Sequence, residues 1–200
     1  MALYKIPSTR FFYIAPVKNL LSILSYGILS YNQANRHTHV SFAMKDVQSH
    51  RDIKKVSGNL SVHDFANLYI NPRNATMFKL MIEGIVETQV VIVVLDDVIN
   101  VGRKVFFSNM NAACKEADFY SVTQAASKLD WDVIFGPGWN DDDPDEKKRK
   151  KAIMCAEVLI QDRVEPKFLS SIVVPTEASR SRLLKMGVKH YVHVLPGLFF

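Results

Sequence analysis

The stretch that decides the fold is KKAIMCAEVLIQDRV, residues 150–164, where one carboxylate stands inside an apolar run. Glu157 is flanked by IMCA on one side and by VLI on the other. A charged carboxylate in an apolar interior costs several kcal/mol unless it is paired, protonated or directed into a cavity. One alternative is a half-buried strand with Glu157 on its solvent face, because side chains of a strand alternate between two faces. The other is a polar residue that faces a cavity, and these residues alone leave both open.

Composition indicates an ordinary globular chain in a reducing compartment. With 200 residues, 48% of them hydrophobic, the chain suits a single domain over residues 1–200. It has no apolar run of 18 residues, and MALYKIPSTR at its start lacks the apolar core of a signal peptide. Cys114 and Cys155 stand far apart and predict neither a disulfide framework nor a zinc site. We therefore expect a cytoplasmic protein without a membrane partner.

The net charge of +5 mildly favours a polyanionic partner, and its densest part is DDDPDEKKRKK, residues 141–151. Asp143 is placed to cap a helix and Pro144 to take its first position. Acidic residues come first and the basic run 147–151 follows, which is the order that the helix dipole favours. The basic run is either a solvated helix face or a surface that contacts phosphates.

Predicted helices and strands follow one another irregularly, which indicates an α+β fold rather than a βαβ repeat. PVKNLLSILSYG, residues 16–27, has apolar residues at helical spacing and ends on glycine. QVVIVVLDD, residues 89–97, is the clearest buried strand. We also expect a helix within residues 41–55, capped by Ser41, and a strand near residues 68–70 before a helix that ends at Gly84.

Several signatures of common enzyme classes are absent: GxGxxG, GxxxxGK[ST] and HExxH do not occur. His37 and His39 stand two residues apart, but no further ligand type lies at metal-binding spacing nearby. Ser57, His63 and Asp64 are the residue types of a catalytic triad, without a nucleophile-elbow pattern. We expect neither a metal site nor a triad.

Four segments, read in order, resemble the DarT family of NAD-dependent DNA ADP-ribosyltransferases. FFYIAPVKNLLSILSYGILS, residues 11–30, is similar to the family's opening strand and helix, with its Asn-Leu pair and its glycine. SVHDFANLYINPRNATMF, residues 61–78, is similar to its Asp-x-x-x-x-Tyr-x-x-Pro-Arg segment. LDW at 129–131 and KKAIMCAEVLI at 150–160 resemble the late motif, in which an Ala-Glu-hydrophobic strand carries the catalytic glutamate. The likeness covers most of the chain.

Two departures from the family pattern concern single positions. Tyr13 stands where the family has His, and Asn74, Ala75 and Thr76 stand where it often has Ser-Pro-Met. The implied fold does not depend on these positions, and the target base does not follow from it.

The resemblance implies an ADP-ribosyltransferase fold: split central β-sheets with flanking helices, and a cleft that holds NAD as co-substrate without a metal. It implies that Glu157 is catalytic and bonds the 2′-hydroxyl of the nicotinamide ribose. Arg51 is the second implied catalytic residue, able to contact the NAD phosphates and the acceptor base with a fork that stays charged. Tyr13, Asn19 and Tyr69 are expected to bind NAD as well.

The function implied is that of a toxin which transfers ADP-ribose from NAD to a base in single-stranded DNA and releases nicotinamide. A macrodomain-type antitoxin is the implied protein partner. The motifs leave open the same transfer onto RNA or protein, and a non-catalytic nucleic-acid-binding module of the same fold. Retention of Glu157 and Arg51 argues against the module.

Overall fold

The computed structural model describes residues 10–40 and 45–200. The strands are β1 (Arg10–Pro16), β2 (Ile28–Leu29), β3 (Lys55–Ser57), β4 (Leu60–Ser61), β5 (Phe65–Tyr69), β6 (Gln89–Leu95), β7 (Val105–Ser108), β8 (Phe119–Ser121), β9 (Glu157–Gln161), β10 (Arg163–Val164), β11 (Leu169–Val174) and β12 (Tyr191–Val194). The helices are α1 (Leu20–Tyr26), α2 (Tyr31–Ala34), α3 (Lys45–Ile53), α4 (Ala75–Ile82), α5 (Val122–Lys128), α6 (Trp131–Ile134), α7 (Pro144–Ile153) and α8 (Glu177–Lys185). Within the described ranges, no helix has the length and apolar composition needed to cross a membrane.

Eight of these strands form one sheet in the order β12-β11-β6-β1-β5-β9-β7-β8. β11 and β12 run parallel, whereas the other neighbours are antiparallel. Two short sheets, β10-β2 and β3-β4, complete the strand pairing. β6 is the strand predicted from residues 89–97, and its position inside the sheet explains its continuous apolar sequence.

The sheet is split between β1 and β5, which share a single residue pair, Phe12↔Tyr69. On either side of the split the pairing is long: β1 pairs with β6 over seven residues, and β5 pairs with β9 over five. The last pair of β5 and β9 is Tyr69↔Glu157. Glu157 is therefore one strand away from the split, at the same level of the sheet.

Cross-strand partners share a face of the sheet, so Phe12, Tyr69 and Glu157 lie on one face. The main core cluster lies on the other face and includes Leu68 and Val158. The face that carries Glu157 is covered by two smaller clusters, one around Met77 and Leu80 and one around Val62, Phe65, Ala112 and Leu159. The sheet thus has apolar layers on both sides, with Glu157 beneath one of them.

Two element boundaries differ from the sequence predictions. The strand expected near residues 68–70 begins earlier, at Phe65, after a 3-10 turn over Val62–Asp64. The segment 16–27 divides into a 3-10 turn over Val17–Asn19 and the helix α1, which ends at Gly27. Gly27 has a φ of +89°, and a Cβ there would stand 2.0 Å from the carbonyl oxygen of Val164, so glycine is required.

Three predicted helices are present. α4 ends two residues before Gly84, and α3 lies within the predicted segment 41–55, although Ser41 is outside the described residues. α7 begins as predicted, because the Asp143 side chain accepts a hydrogen bond from the backbone of Asp145 at 2.9 Å and Pro144 is the first helical residue.

Candidate active site

Glu157 is 1% exposed and is the first residue of β9, between β5 and β7. Its neighbours on both faces of the strand are buried too: Cys155 is 3% exposed, and Val158 and Leu159 are fully buried. The alternative of a half-buried strand with Glu157 on a solvent face is therefore wrong. The physical reason is that helix α3 and the segment after β7 cover the face that alternation would have left to water.

The Glu157 carboxylate is held through one oxygen. Oε1 accepts hydrogen bonds from Nη2 of Arg51 at 2.6 Å and from the backbone N–H of Ala112 at 3.0 Å. The backbone N–H of Glu157 donates to Oγ of Ser108 at 3.0 Å, which fixes the start of β9 against the end of β7. Oε2 accepts no hydrogen bond from the described residues. One carboxylate oxygen is thus fixed, and the second remains for another donor.

Arg51 projects from α3, and its side chain is 12% exposed. Besides Glu157, its Nη2 donates to Oδ1 of Asn111 at 3.3 Å, and the same oxygen accepts from the backbone of Ala113 at 2.9 Å. Burial acts to lower the pKa of Arg51, but the charge and hydrogen bond of Glu157 together with the effects of Tyr69 and Cys155 outweigh it, so the pKa is raised and the guanidinium stays charged. Its Nε is buried without a partner among the described residues. A buried donor in that state is costly unless a ligand satisfies it.

Tyr69 lies beside Glu157 as its partner across β5 and β9. Its hydroxyl shares a hydrogen bond of 2.9 Å with Oγ1 of Thr76, at the start of α4. Burial raises the pKa of Tyr69 well above its usual value, and the charge of Glu157 adds to this, so the phenol is neutral at physiological pH. The structure brings Glu157, Arg51 and Tyr69 together.

Tyr13 and Asn19 do not contact this group directly. Tyr13 follows Phe12 in β1, so alternation directs it to the opposite face, where it packs on the main core cluster. Burial raises the pKa of Tyr13, while the charge of Arg51 opposes the rise, which places Tyr13 within electrostatic range of Arg51. The Asn19 amide bonds both backbone groups of Val40, at 2.7 and 2.9 Å. Their role in binding NAD stays a prediction.

Four polar groups of the site were not predicted from the sequence. Ser108, Asn111 and the backbone N–H of Ala112 orient Glu157 or Arg51, as described above. Asn67 lies on the Glu157 face of β5, and its Oδ1 is buried without a partner among the described residues. The available signal was the polar run SNMNA at residues 108–112, directly after the buried strand β7.

His63 and Asp64, two residue types of a catalytic triad, have other partners in the structure. His63 contacts Gln48 and Asp52 of α3, and Asp64 caps its own turn through Ser61. Among the described residues, no group of three or more His, Cys, Asp or Glu side chains is arranged to hold a metal ion.

The basic run of α7 is partly neutralised by local pairs. Arg149 pairs with Glu146 at 2.8 Å, and Lys150 pairs with Asp141 at 2.7 Å. The three other lysines, Lys147, Lys148 and Lys151, are exposed and have no ion pair within the described ranges. A solvated face and a phosphate-contacting surface both remain open for these three.

Solved structures with similar folds agree with the predicted architecture. DarT from Thermus sp. 2.9 in complex with ADP-ribosylated ssDNA matches with a TM-score of 0.83 and 19% identity over 98% of each chain. The same DarT in complex with NAD+ matches with a TM-score of 0.79 and 18% identity, over 98% of this chain and 99% of that one. Thermosipho africanus DarTG in complex with ADP-ribose matches with a TM-score of 0.82 and 24% identity, over 96% of this chain and 51% of that one. The predicted α+β ADP-ribosyltransferase fold is confirmed.

Sequence comparison identifies the family. A DNA ADP-ribosyl transferase-DNA ADP-ribosyl glycohydrolase fusion protein of Thermosipho africanus (strain H17ap60334) is 27% identical over 192 residues, which are 94% of this chain and 48% of the relative. The chain thus spans about half the length of this curated relative. The profile of the family described as ssDNA thymidine ADP-ribosyltransferase, DarT, matches residues 12–200, and the chain therefore belongs to the DarT family.

Proposed function

We propose that this chain transfers ADP-ribose from NAD+ to the base of a thymidine in single-stranded DNA and releases nicotinamide. Membership of the DarT family over residues 12–200 supports the reaction class and the acceptor. The observation that carries the proposal is the state of Glu157: a buried carboxylate with one oxygen held by Arg51 and the other accepting no hydrogen bond from the described residues. A non-catalytic module would not need this buried charge, because a buried ion pair contributes little net stability.

Glu157 acts in this proposal through its second oxygen. Oε2 accepts a hydrogen bond from the 2′-hydroxyl of the nicotinamide ribose, while Arg51 and Ala112 keep the carboxylate from rotating. As the bond from C1′ to the nicotinamide nitrogen breaks, that nitrogen keeps the electron pair and positive charge develops on the ribose. A fixed carboxylate beside this charge stabilises the transition state, because its field is already oriented and needs no rearrangement. The base then forms the new bond to C1′ and loses a proton.

Arg51 is the second catalytic residue that we propose. Its buried Nε has no partner among the described residues, which supports a role toward a ligand, since an acceptor oxygen there would satisfy this donor. A phosphate of NAD or a carbonyl of the base supplies such an oxygen, and the planar fork suits either. The pairing with Glu157 also keeps Arg51 at the site before substrate binds.

Tyr69, Asn19 and Tyr13 are proposed to bind NAD. Tyr69 is best supported, because it lies beside Glu157 and its ring can pack against the nicotinamide. Asn19 would act through the segment at Val40 that its amide holds. Tyr13 has the weakest support of the three, since it lies on the other face of β1.

Acceptor and partners follow from the family and the relatives. Single-stranded DNA is the proposed acceptor, with RNA or protein as the rival. The Thermosipho fusion protein joins a DNA ADP-ribosyl transferase to a DNA ADP-ribosyl glycohydrolase, which supports a toxin and an antitoxin of the macrodomain type that removes the modification. We also propose that residues 1–200 form one domain and that the protein acts in the cytoplasm.

One assay tests this function. The protein is incubated with NAD+ labelled in its ADP-ribose portion and, separately, with single-stranded DNA with and without thymidine, duplex DNA, RNA and a protein extract. We expect label on thymidine-containing single-stranded DNA alone. Label on RNA or protein would establish the rival acceptor, and no label on any polymer would overturn the proposed reaction.

A further inference from the structure

Helix α3 carries Arg51, and the side chains described for this helix lie partly or fully in solvent. Among its described side chains, residues 48–53, none is buried, and Ile53 is 74% exposed. A helix of nine residues is not stable alone and takes its stability from tertiary contacts. Polar contacts of the described side chains of α3 hold Arg51 in place.

One side chain outside α3 contacts the helix at two places. Nε2 of His63 lies 3.0 Å from Oε1 of Gln48, and Nδ1 of the same ring lies 3.4 Å from Oδ1 of Asp52. Gln48 and Asp52 are four residues apart, so they stand on one side of the helix, one turn from each other. Arg51 is next to Asp52 in sequence. Because both partner atoms are acceptors, a neutral ring donates to only one of them, Asp52 through Nδ1–H, and its bond with Gln48 requires that amide to turn its NH2 group toward Nε2. The two contacts then fix the height and the rotation of the helix.

His63 itself is firmly supported. It is 4% exposed and lies in the turn Val62–Asp64, which the reciprocal hydrogen bonds of Ser61 and Asp64 close before β5 begins. Its ring stacks on Tyr31 with 3.9 Å between centroids and 21° between planes. Burial lowers the pKa of His63 against the opposite effect of Asp52 and Asp64, so the imidazole is neutral near pH 7.

We propose that His63 is a positioning residue, which docks α3 through Gln48 and Asp52 and thereby holds Arg51 against Glu157. Its effect on transfer rests on the proposed function, whereas the docking of α3 does not. A shift of about 1 Å at a reacting group lowers turnover by about 100-fold, so a loosened helix has a large kinetic effect.

Two measurements test the docking. The first is amide hydrogen exchange of residues 45–53, and the second is transfer of ADP-ribose to single-stranded DNA. His63→Phe keeps the ring and its stacking but removes both polar contacts. We expect at least tenfold faster exchange in α3, unchanged exchange in β6 and about 10- to 100-fold slower transfer. Unchanged exchange in α3 would overturn the proposal.

Variants of Asp52 test the same contact if the His63 variant fails to fold. The Asp52 side chain is 71% exposed, so its replacement does not disturb the buried core. Asp52→Ala should act in the same direction as His63→Phe, while Asp52→Asn keeps an oxygen acceptor and should stay close to wild type. His50→Ala, an exposed change on the same helix, is the control and should alter neither measurement. Equal effects of the alanine and the asparagine variants would contradict a hydrogen-bonded role.

A double variant separates positioning from general structure. If His63 acts through Arg51, His63→Phe should slow transfer no further in an Arg51→Gln background. Multiplied losses would show that His63 acts independently of Arg51 and would overturn that step. If wild type transfers no label to any acceptor, the proposed function fails, and the exchange of α3 still decides whether His63 docks the helix.

Discussion

Two arginine–glutamate pairs of similar length lie in very different surroundings. Nη2 of Arg51 and Oε1 of Glu157 are 2.6 Å apart, with side chains that are 12% and 2% exposed. Nε of Arg149 and Oε2 of Glu146 are 2.8 Å apart, with side chains that are 47% and 32% exposed. The first pair joins residues 106 positions apart in sequence, and the second joins neighbouring turns of α7.

The comparison shows that distance alone does not identify a functional pair. An exposed pair within one helix contributes about 0–1 kcal/mol and serves the helix that carries it. A buried pair gains little net stability, because the desolvation of both charges offsets their attraction. The buried pair therefore needs another explanation, and the proposed contact of Glu157 with the nicotinamide ribose would supply one.

The largest expected difference between the two pairs is in stability after one partner is removed. Arg51→Ala leaves Glu157 buried without its cation and should lower the free energy of unfolding by about 3–5 kcal/mol. Arg149→Ala should lower it by about 0–1 kcal/mol. Urea unfolding of both variants measures this, and the double variant Arg51→Gln with Glu157→Gln should recover part of the loss. Equal losses for the two alanine variants would remove the distinction between the pairs.

The next effect concerns catalysis. Glu157→Gln keeps the shape of the side chain but not its charge, and should lower kcat for transfer by about 10²–10³-fold, with little change in KM for NAD. Glu146→Gln has the same chemical change on an exposed helix and should keep wild-type kinetics. Near-normal transfer by a folded Glu157→Gln protein would exclude Glu157 as the catalytic carboxylate.

The contrast also explains which parts of the structure could be predicted from the sequence. β6 and the start of α7 are predictable, because an apolar run and a cap with a following proline act within a few residues. Alternation along residues 153–160 cannot tell whether the second face is covered, and the solvent-facing alternative for Glu157 was wrong for that reason. The candidate role of Glu157 came from family resemblance.

Local sequence patterns do not predict the partners of Glu157. Its contacts with Ala112 and Arg51 span 45 and 106 residues, and folding alone brings these groups together. The same holds for His63 and Asn67, whose surroundings depend on the packing of α3 and on the faces of β5. His63 and Asp64 are neighbouring residue types of a catalytic triad, for which we expected no such role, and the sequence did not indicate that the ring of His63 contacts Gln48 and Asp52.

A third carboxylate, Asp64, is half-buried and tests the comparison with pH. Burial acts to raise its pKa, but hydrogen bonds from Ser61 and Asn32, each 2.8 Å long, outweigh burial and lower it. A folded-state pKa below the unfolded one stabilises the fold above about pH 4, and this contribution is lost as the pH falls through the folded-state value. Asp64→Asn should therefore cost about 1 kcal/mol at pH 7, and wild type and variant should converge once the pH falls below the folded-state pKa. A difference in unfolding free energy that is constant with pH would show that the charge of Asp64 has no part in it.

The smallest effect concerns the exposed lysines of α7. Since Arg149 and Lys150 are engaged with Glu146 and Asp141, the charges left for a polyanion are Lys147, Lys148 and Lys151. α7 leads within four residues to Glu157, so a strand that delivers a base to the site can pass along it. If these lysines contact phosphates, changing all three to glutamine should raise KM for single-stranded DNA and leave KM for NAD unchanged. The slope of log KM against log salt concentration should fall by about 2, because each phosphate contact contributes about 0.7.

A matched variant with the exposed lysines Lys128, Lys185 and Lys189 changed to glutamine has the same net charge and separates local contact from overall attraction. Contact through α7 predicts a reduced slope for the α7 variant and a wild-type slope for the matched one. Equal slopes for both variants would assign the effect to net charge, because long-range attraction depends on the sum of charges more than on their positions. If both variants keep the wild-type slope, the basic run does not contact DNA. It is then a solvated helix face whose charges complement the helix dipole, and the exposed Arg149–Glu146 pair lies on the same helix.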